Sequence, residues 1–212
     1  MIHPLALERP SFSIISSDDL NNMVATIRVR IPTERVGSLI GQNGAVKRKI
    51  EMSCGVKLDI DSKSGEVELI SSDQNADPVS ILKAQTIVSA IGRGFAPTKA
   101  LRLVEDDILL HVLDLRDYVA KSRENTERIR GRLIGRSGRT RQILEETTDA
   151  SVSIYGHTVS LIGGHREVEL AKDAIERLIG GSEHRTVYRH LSRMRQELKK
   201  DRMKIWEDHD TG

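Results

Sequence analysis

The chain has 212 residues, 38% of them hydrophobic, with 33 Lys+Arg against 31 Asp+Glu; this fits one large or two small globular domains and excludes a uniformly basic coat. Its single cysteine excludes an internal disulfide and a four-cysteine zinc site. No apolar run approaches the ~18 residues of a membrane span, the N-terminal MIHPLALERPSFSII lacks the basic-then-apolar order of a secretory signal, and aromatics at 3% argue against stacked aromatic platforms, so a reduced, cytoplasmic protein with no membrane partner is expected.

Residues 1–22 show no periodicity and read as an irregular segment. Val24–Ile31 reads as a strand. A turn, Ile40-Gly41-Gln42-Asn43-Gly44, then joins two short helices. Val56, Leu58 and Ile60 alternate with Lys57, Asp59 and Asp61, the period of a half-buried strand, and Val67–Ile70 supplies its hairpin partner. Ile81, Ala84, Val88 and Ile91 form one helical stripe, stopped by Gly92 and Gly94. Residues 95–106 read as a linker opened by Pro97. The order then recurs. Ile108–Leu115 is a strand, and Ile134-Gly135-Arg136-Ser137-Gly138 is the turn. Val152 and Ile154 alternate with Ser151, Ser153 and Tyr155, and Val159–Ile162 pairs with them. Val168, Ala171, Ile175 and Leu178 form the closing stripe before Gly180 and Gly181. Over 184–207 a last helix carries Val187, Leu191, Met194 and Leu198 on one side and Arg185, Arg189, Arg193 and Lys200 elsewhere.

The recurrence is a true repeat. At a constant offset of 94 residues, Leu39/Leu133, Ile40/Ile134, Gly41/Gly135, Gly44/Gly138, Glu51/Glu145 and Ile60/Ile154 are identical; past the hairpin the offset falls to 92, so one loop is two residues shorter. Each unit reads β-α-α-β-β-α, an α+β fold in which three helices cover a three-stranded sheet. The expected division is an irregular segment over 1–22, a first domain over 23–94, a linker over 95–106, a second domain over 107–183 packed on the first, and a C-terminal basic helix and tail over 184–212.

The two turns carry the chemistry. Glycine permits positive φ and lets another backbone approach closely. The helix that follows exposes N–H groups with no intrahelical partner, backed by the positive end of its dipole. Such a corner takes an anionic backbone. Seven arginines lie between 123 and 141 (Arg123, Arg128, Arg130, Arg132, Arg136, Arg139, Arg141) against Glu124 and Glu127. Residues 35–49 hold Arg35, Lys47, Arg48 and Lys49 with no acid, so the remaining chain is net negative and the positive charge gathers at the turns. Ile134, Val152 and Ile154 in the second unit, and Ile40, Leu58 and Ile60 in the first, are expected to floor a groove for bases. The candidate RNA-binding residues are Gly135, Arg136, Ser137, Gly138, Arg139, Arg141, Arg132, Ile134, Val152 and Ile154, with Gly41, Gln42, Asn43, Gly44, Lys47 and Arg48.

Leu-Ile-Gly-x-x-Gly followed by a helix and a Val/Ile-rich hairpin resembles the type I KH (K-homology) module, two copies covering about residues 23–183. The second copy goes further. Gly131-Arg-Leu-Ile-Gly-Arg-Ser-Gly-Arg-Thr-Arg-Gln-Ile-Leu-Glu145, His157-Thr-Val-Ser-Leu-Ile-Gly-Gly164 and Val187-Tyr-Arg-His-Leu191 resemble the partner-of-Nob family of small-subunit ribosome assembly factors, in its archaeal form. The resemblance implies binding of single-stranded RNA near the 3′ end of small-subunit ribosomal RNA. It also implies as partners the Nob endonuclease and the α subunit of translation initiation factor two. Eukaryotic relatives have a degenerate first turn, whereas Gln42-Asn43 here keeps both glycines. Lys47 and Arg141 stand where KH modules usually carry an apolar residue, which implies either added phosphate contacts or a differently set first helical turn.

Catalysis is not expected. No G-x-x-x-x-G-K-[ST] phosphate loop occurs, Asp59 and Asp61 share a solvated strand face with Lys57, and the seven histidines have no zinc spacing. Cys54 reads as a small buried side chain. No cofactor or metal is expected. The competing expectation is a protein-interaction scaffold in which one module holds a processing or translation factor instead of RNA.

Overall fold

The computed structural model describes residues 26–71, 78–118 and 123–209; the segment read as irregular over 1–22, the predicted strand start at Val24 and Ala25, and the end of the tail lie outside them. In the first unit β1 (Thr26–Arg30) leads to α1 (Thr33–Ile40), a tight turn at Gln42–Gly44, α2 (Ala45–Cys54), β2 (Val56–Asp61), β3 (Glu66–Ser71) and α3 (Pro78–Gly92). A short helix α4 (Pro97–Ala100) and a single 3-10 turn (Leu101–Val104) follow. The second unit repeats the order with β4 (Ile108–Asp114), α5 (Arg123–Ile134), a turn at Arg136–Gly138, α6 (Arg139–Thr148), β5 (Ser151–Tyr155), β6 (Thr158–Gly164) and α7 (His165–Ile179), and α8 (His184–His209) closes the described chain.

Both sheets are antiparallel, in the orders β1-β3-β2 and β4-β6-β5. The strand after each glycine turn is therefore an edge strand. Register follows the alternation: Leu58 faces Leu69, Ile60 faces Val67, and Ile154 faces Val159. The second hairpin turns through Gly156, at φ +56°, and His157, a tight two-residue connection that left-handed glycine permits. The first hairpin is two residues longer and turns at Gly65, whose carbonyl accepts from the Ile31 amide at 2.9 Å.

The predicted stripes of α3 and α7 are buried. Ile81, Ala84, Val88 and Ile91 pack with Leu39, Ile50, Leu58 and Leu69 in one core. Val168, Ala171, Ile175 and Leu178 pack with Leu133, Leu144 and Leu161 in the other. Val187 and Leu191 of α8 join the second core, so one side of the last helix is a packing face. Cys54 is buried in the first core, and its burial raises the thiol pKa.

Two features differ from the sequence reading. The residues read as a linker, 95–106, fold back on the first unit: Phe95, Ala100 and Leu103 are buried in its core. Pro97 starts α4 from its first turn, where a missing N–H costs nothing. The serine face of β5 is also not solvated. Ser151, Ser153, Thr158 and Ser160 are buried because the first unit covers that side of the sheet. Ser153 Oγ donates to the Arg93 carbonyl at 2.8 Å, Tyr155 OH donates to Glu34, and Ile162 belongs to the first unit's core. Gly94, at φ +94°, sits against this face; a Cβ there would stand 2.8 Å from Ser153 Oγ and 3.1 Å from Tyr155 Cβ. The second sheet thus lies between its own helices and the first unit.

Candidate nucleic-acid interface

The two corners superimpose angle by angle. Gly41 and Gly135 have φ/ψ of 70°/177° and 71°/176°, Asn43 and Ser137 have 50°/30° and 51°/31°, and Gly44 and Gly138 have φ of 74° and 78°. The first angle pair is accessible essentially to glycine alone. The chain presses close there: a Cβ on Gly135 would stand 2.8 Å from both Cβ and the amide nitrogen of Thr140, and one on Gly41 would stand 2.9 Å from Val46 Cβ. Each helix that follows begins with ordinary geometry, φ/ψ of −63°/−40° at Ala45 and Arg139. Lys47 and Arg141 therefore do not alter its first turn.

Backbone hydrogen bonds at the first corner run from Gly41 to Gly37 O at 2.9 Å and from Gly44 to Gly41 O at 3.2 Å; at the second they run from Gly135 to Gly131 O at 2.8 Å and from Gly138 to Gly135 O at 3.2 Å. The amides of Gln42, Asn43, Arg136 and Ser137 enter none of these. Their side chains are exposed, and among the described residues no side chain hydrogen-bonds to these amides. Each corner thus offers two adjacent N–H donors at a helix N-terminus, a geometry complementary to phosphate oxygens.

Charge around the second corner is largely uncommitted. Arg128, Arg136 and Arg141 are exposed and form no hydrogen bond or ion pair among the described residues; Arg139 reaches only Gln142 Oε1, at 3.3 Å. At the first corner Arg48 is exposed, with its guanidinium beside Gly44, and Lys47 stands 4.0 Å from Glu51.

Two arginines counted with the positive charge at the turns, and two residues expected in the groove floor, lie elsewhere. Arg132 is half-buried and donates to the Ser182 carbonyl, while its own carbonyl lies 3.0 Å from His184 Nε2. It joins α5 to the start of α8. Arg35 donates to the carbonyls of Ile91 at 2.9 Å and Phe95 at 2.7 Å, covering the C-terminus of α3, where a cation opposes the negative dipole end. Val152 is 3% exposed; it is core and not groove floor, as is Leu58. Ile134 and Ile154, with Ile40 and Ile60, keep partial exposure and form what apolar floor there is.

Glu51 and Glu145 hold a role that the sequence marked only as an identity. Glu51 Oε1 accepts from the Leu58 amide and Glu145 Oε1 from the Val152 amide, both at 2.9 Å. Each glutamate ties a second helix to the edge strand beside its corner. Glu145 also pairs with Lys99 of α4 at 2.7 Å. Behind the second corner, Tyr188 of α8 donates to Thr140 Oγ1 at 3.0 Å. Of Asp59 and Asp61, Asp61 is committed to the hairpin: it accepts from Ser64 Oγ at 2.6 Å and the Lys63 amide at 2.9 Å, and the Ser64 bond first of all lowers its pKa. Among the described residues, no group of three His, Cys, Asp or Glu is placed to hold a metal ion, and no helix is long and apolar enough to cross a membrane.

A β-α-α-β-β-α unit with an open Gly-x-x-Gly corner before its second helix defines a KH domain, and this chain holds two. Residues 26–86 match the KH domain model, and residues 109–196 match a model described as a eukaryotic type KH domain of type I. A KH domain-containing protein of Methanocaldococcus jannaschii is 46% identical over 178 residues, spanning 84% of this chain and 78% of that protein. The pre-rRNA-processing protein PNO1 of Coccidioides immitis is 25% identical over 192 residues, 90% of this chain and 75% of its own length. Among solved structures, the aDim2p chain type is represented by an a/eIF2alpha–aDim2p–rRNA complex from Pyrococcus horikoshii, matched at 44% identity and a TM-score of 0.77 over 85% of this chain and 99% of that one. The chain belongs to the PNO1/Dim2 family of tandem KH proteins.

Proposed function

We propose that this chain is a non-catalytic, cytoplasmic protein that binds single-stranded RNA at its two Gly-x-x-Gly corners during processing of small-subunit ribosomal RNA, near that RNA's 3′ end. The observation that carries this reading is the pair of amides at each corner left unbonded among the described residues, flanked at the second corner by arginines with no acidic partner there. Phosphates meet Gln42-Asn43 and Arg136-Ser137, with Arg139, Arg141, Lys47 and Arg48 beside them, and bases lie toward Ile134, Ile154, Ile40 and Ile60. About four nucleotides engage each module. The functional units are the two KH domains over 23–94 and 107–183, with 95–106 and α8 as structural supports. The Pyrococcus horikoshii relative was solved with a/eIF2alpha and rRNA; the α subunit of translation initiation factor two is accordingly a proposed partner here, and the Nob endonuclease a second.

A salt titration of binding to a labelled single-stranded RNA tests the reading. Each phosphate engaged contributes about −0.7 to the slope of log affinity against log salt, so four phosphates give about −3. A flat response rules out a phosphate-dominated mode. Partners that remain bound after nuclease treatment would favour the scaffold reading for the module that holds them.

A further inference from the structure

Between the units lies a cleft of about 320 Å³, within the size range of ligand sites. The first unit contributes Arg30, Ser89 and Arg93; the second contributes Tyr155, Gly156 and His157 from its β5–β6 hairpin. Among the described residues, no carboxylate lines it. Arg30 and Arg93 form no side-chain hydrogen bond or ion pair among the described residues. The acids that reach Tyr155 and His157 are already engaged. Asp114 lies 3.7 Å from His157 but is held by Arg116 at 2.5 Å, and Glu34 accepts from Tyr155 OH. At the C-terminus of α3, which would repel an anion here, Arg35 covers the Ile91 carbonyl of the last turn and the Phe95 carbonyl just beyond it. Two guanidiniums without a partner among the described residues, facing a histidine across a cleft whose described lining holds no carboxylate, are a site for phosphate groups.

The cleft also stands where a bound strand would arrive. Two residues join α6 to β5, and Glu145 ties the helix to the Val152 amide, so the chain doubles back. Ten residues of helix rise ~15 Å and five of strand ~17 Å. The start of α6, and with it the Arg136-Ser137 corner, therefore lies at the same end of the unit as the Tyr155-Gly156-His157 turn. We propose that an RNA strand leaving the second corner continues past this hairpin into the cleft, where Arg30 and Arg93 of the first unit grip its phosphates. The inference rests on the second corner binding RNA. It makes the fixed packing of the two units part of the RNA site.

The test uses the full chain, a four-nucleotide and a ten-nucleotide single-stranded RNA, and the variants R30Q/R93Q and R136D/S137D. The expected result is that R30Q/R93Q weakens the ten-nucleotide RNA about tenfold and lowers its salt slope by about 1.4, two phosphates' worth, with the four-nucleotide RNA unchanged. Unchanged affinity and slope for the long RNA would overturn the cleft proposal while leaving the corner reading intact; failure of the native chain to bind either RNA would overturn both. Zero-length photocrosslinking of a thiouridine-bearing ten-nucleotide RNA to the native chain reports independently of how the variant folds. Adducts at Tyr155 or His157 support the path, and adducts confined to the two corners contradict it.

Discussion

Replacing Arg136 and Ser137 together by aspartate is expected to weaken RNA binding by roughly 100-fold or more while thermal stability stays near that of the native chain. Charge-assisted contacts contribute about 1.5–3 kcal/mol each; losing two and placing like charge over the phosphate site therefore removes about 3 kcal/mol at least. The fold has little stake in either side chain. Both are exposed, neither forms a hydrogen bond or ion pair among the described residues, and Ser137 sits at φ +51°, a region that aspartate tolerates better than most residues. Surface changes of this kind stay within about 0.5 kcal/mol each, a few degrees in midpoint for a chain of this size. Anisotropy titration beside a thermal melt reads both quantities. A double variant that binds normally removes the second corner from the site.

The largest structural effect is expected at Gly135. Gly135→Ala places a methyl group 2.8 Å from the Thr140 amide nitrogen and side chain, at a φ/ψ of 71°/176° that alanine does not adopt. Strain and overpacking each cost about 1–3 kcal/mol. Thr140 is buried and bonded to Tyr188, so it cannot yield without disturbing α8. Gly131→Ala, four residues earlier, is the opposite case. Gly131 lies inside α5 with no positive φ and nothing within 4 Å of the added carbon, and alanine there gains up to about 1 kcal/mol in helix propensity. Denaturant midpoints of the two variants should move in opposite directions from the native value. Equal shifts would mean that the corner is not held by close packing.

The element order, the hairpin pairings and both helical stripes were legible because each rests on a local period repeated twice. The corners were legible for the same reason: Gly41 and Gly135 meet identical demands 94 residues apart. What the residues did not reveal came from contacts between distant elements. Ser151 and Ser153 read as a wet face because nothing in 151–155 announces that Arg93 and Gly94 will cover it. Pro97 read as the opening of a linker, yet one proline at a helix's first turn looks the same in sequence as one that merely breaks it. Arg35 and Arg132 were counted with the phosphate-facing charge because charge alone does not say whether a guanidinium meets a phosphate or a carbonyl across the fold. Val152 fell on the expected face, but that face is the core. Glu145 was visible as an identity with Glu51. Its bond to the edge-strand amide follows once α6 is folded against β5.

Backbone amide mapping by heteronuclear NMR, recorded while single-stranded RNA is added to the full chain, tests the binding mode most directly. The largest shifts should fall on the amides of Arg136 and Ser137, with Gln42 and Asn43 following, because at the corners these donors have no acceptor among the described residues. RNA that binds while those four resonances stay in place, with the shifts gathered instead on α8 or the β1 edge, would contradict it.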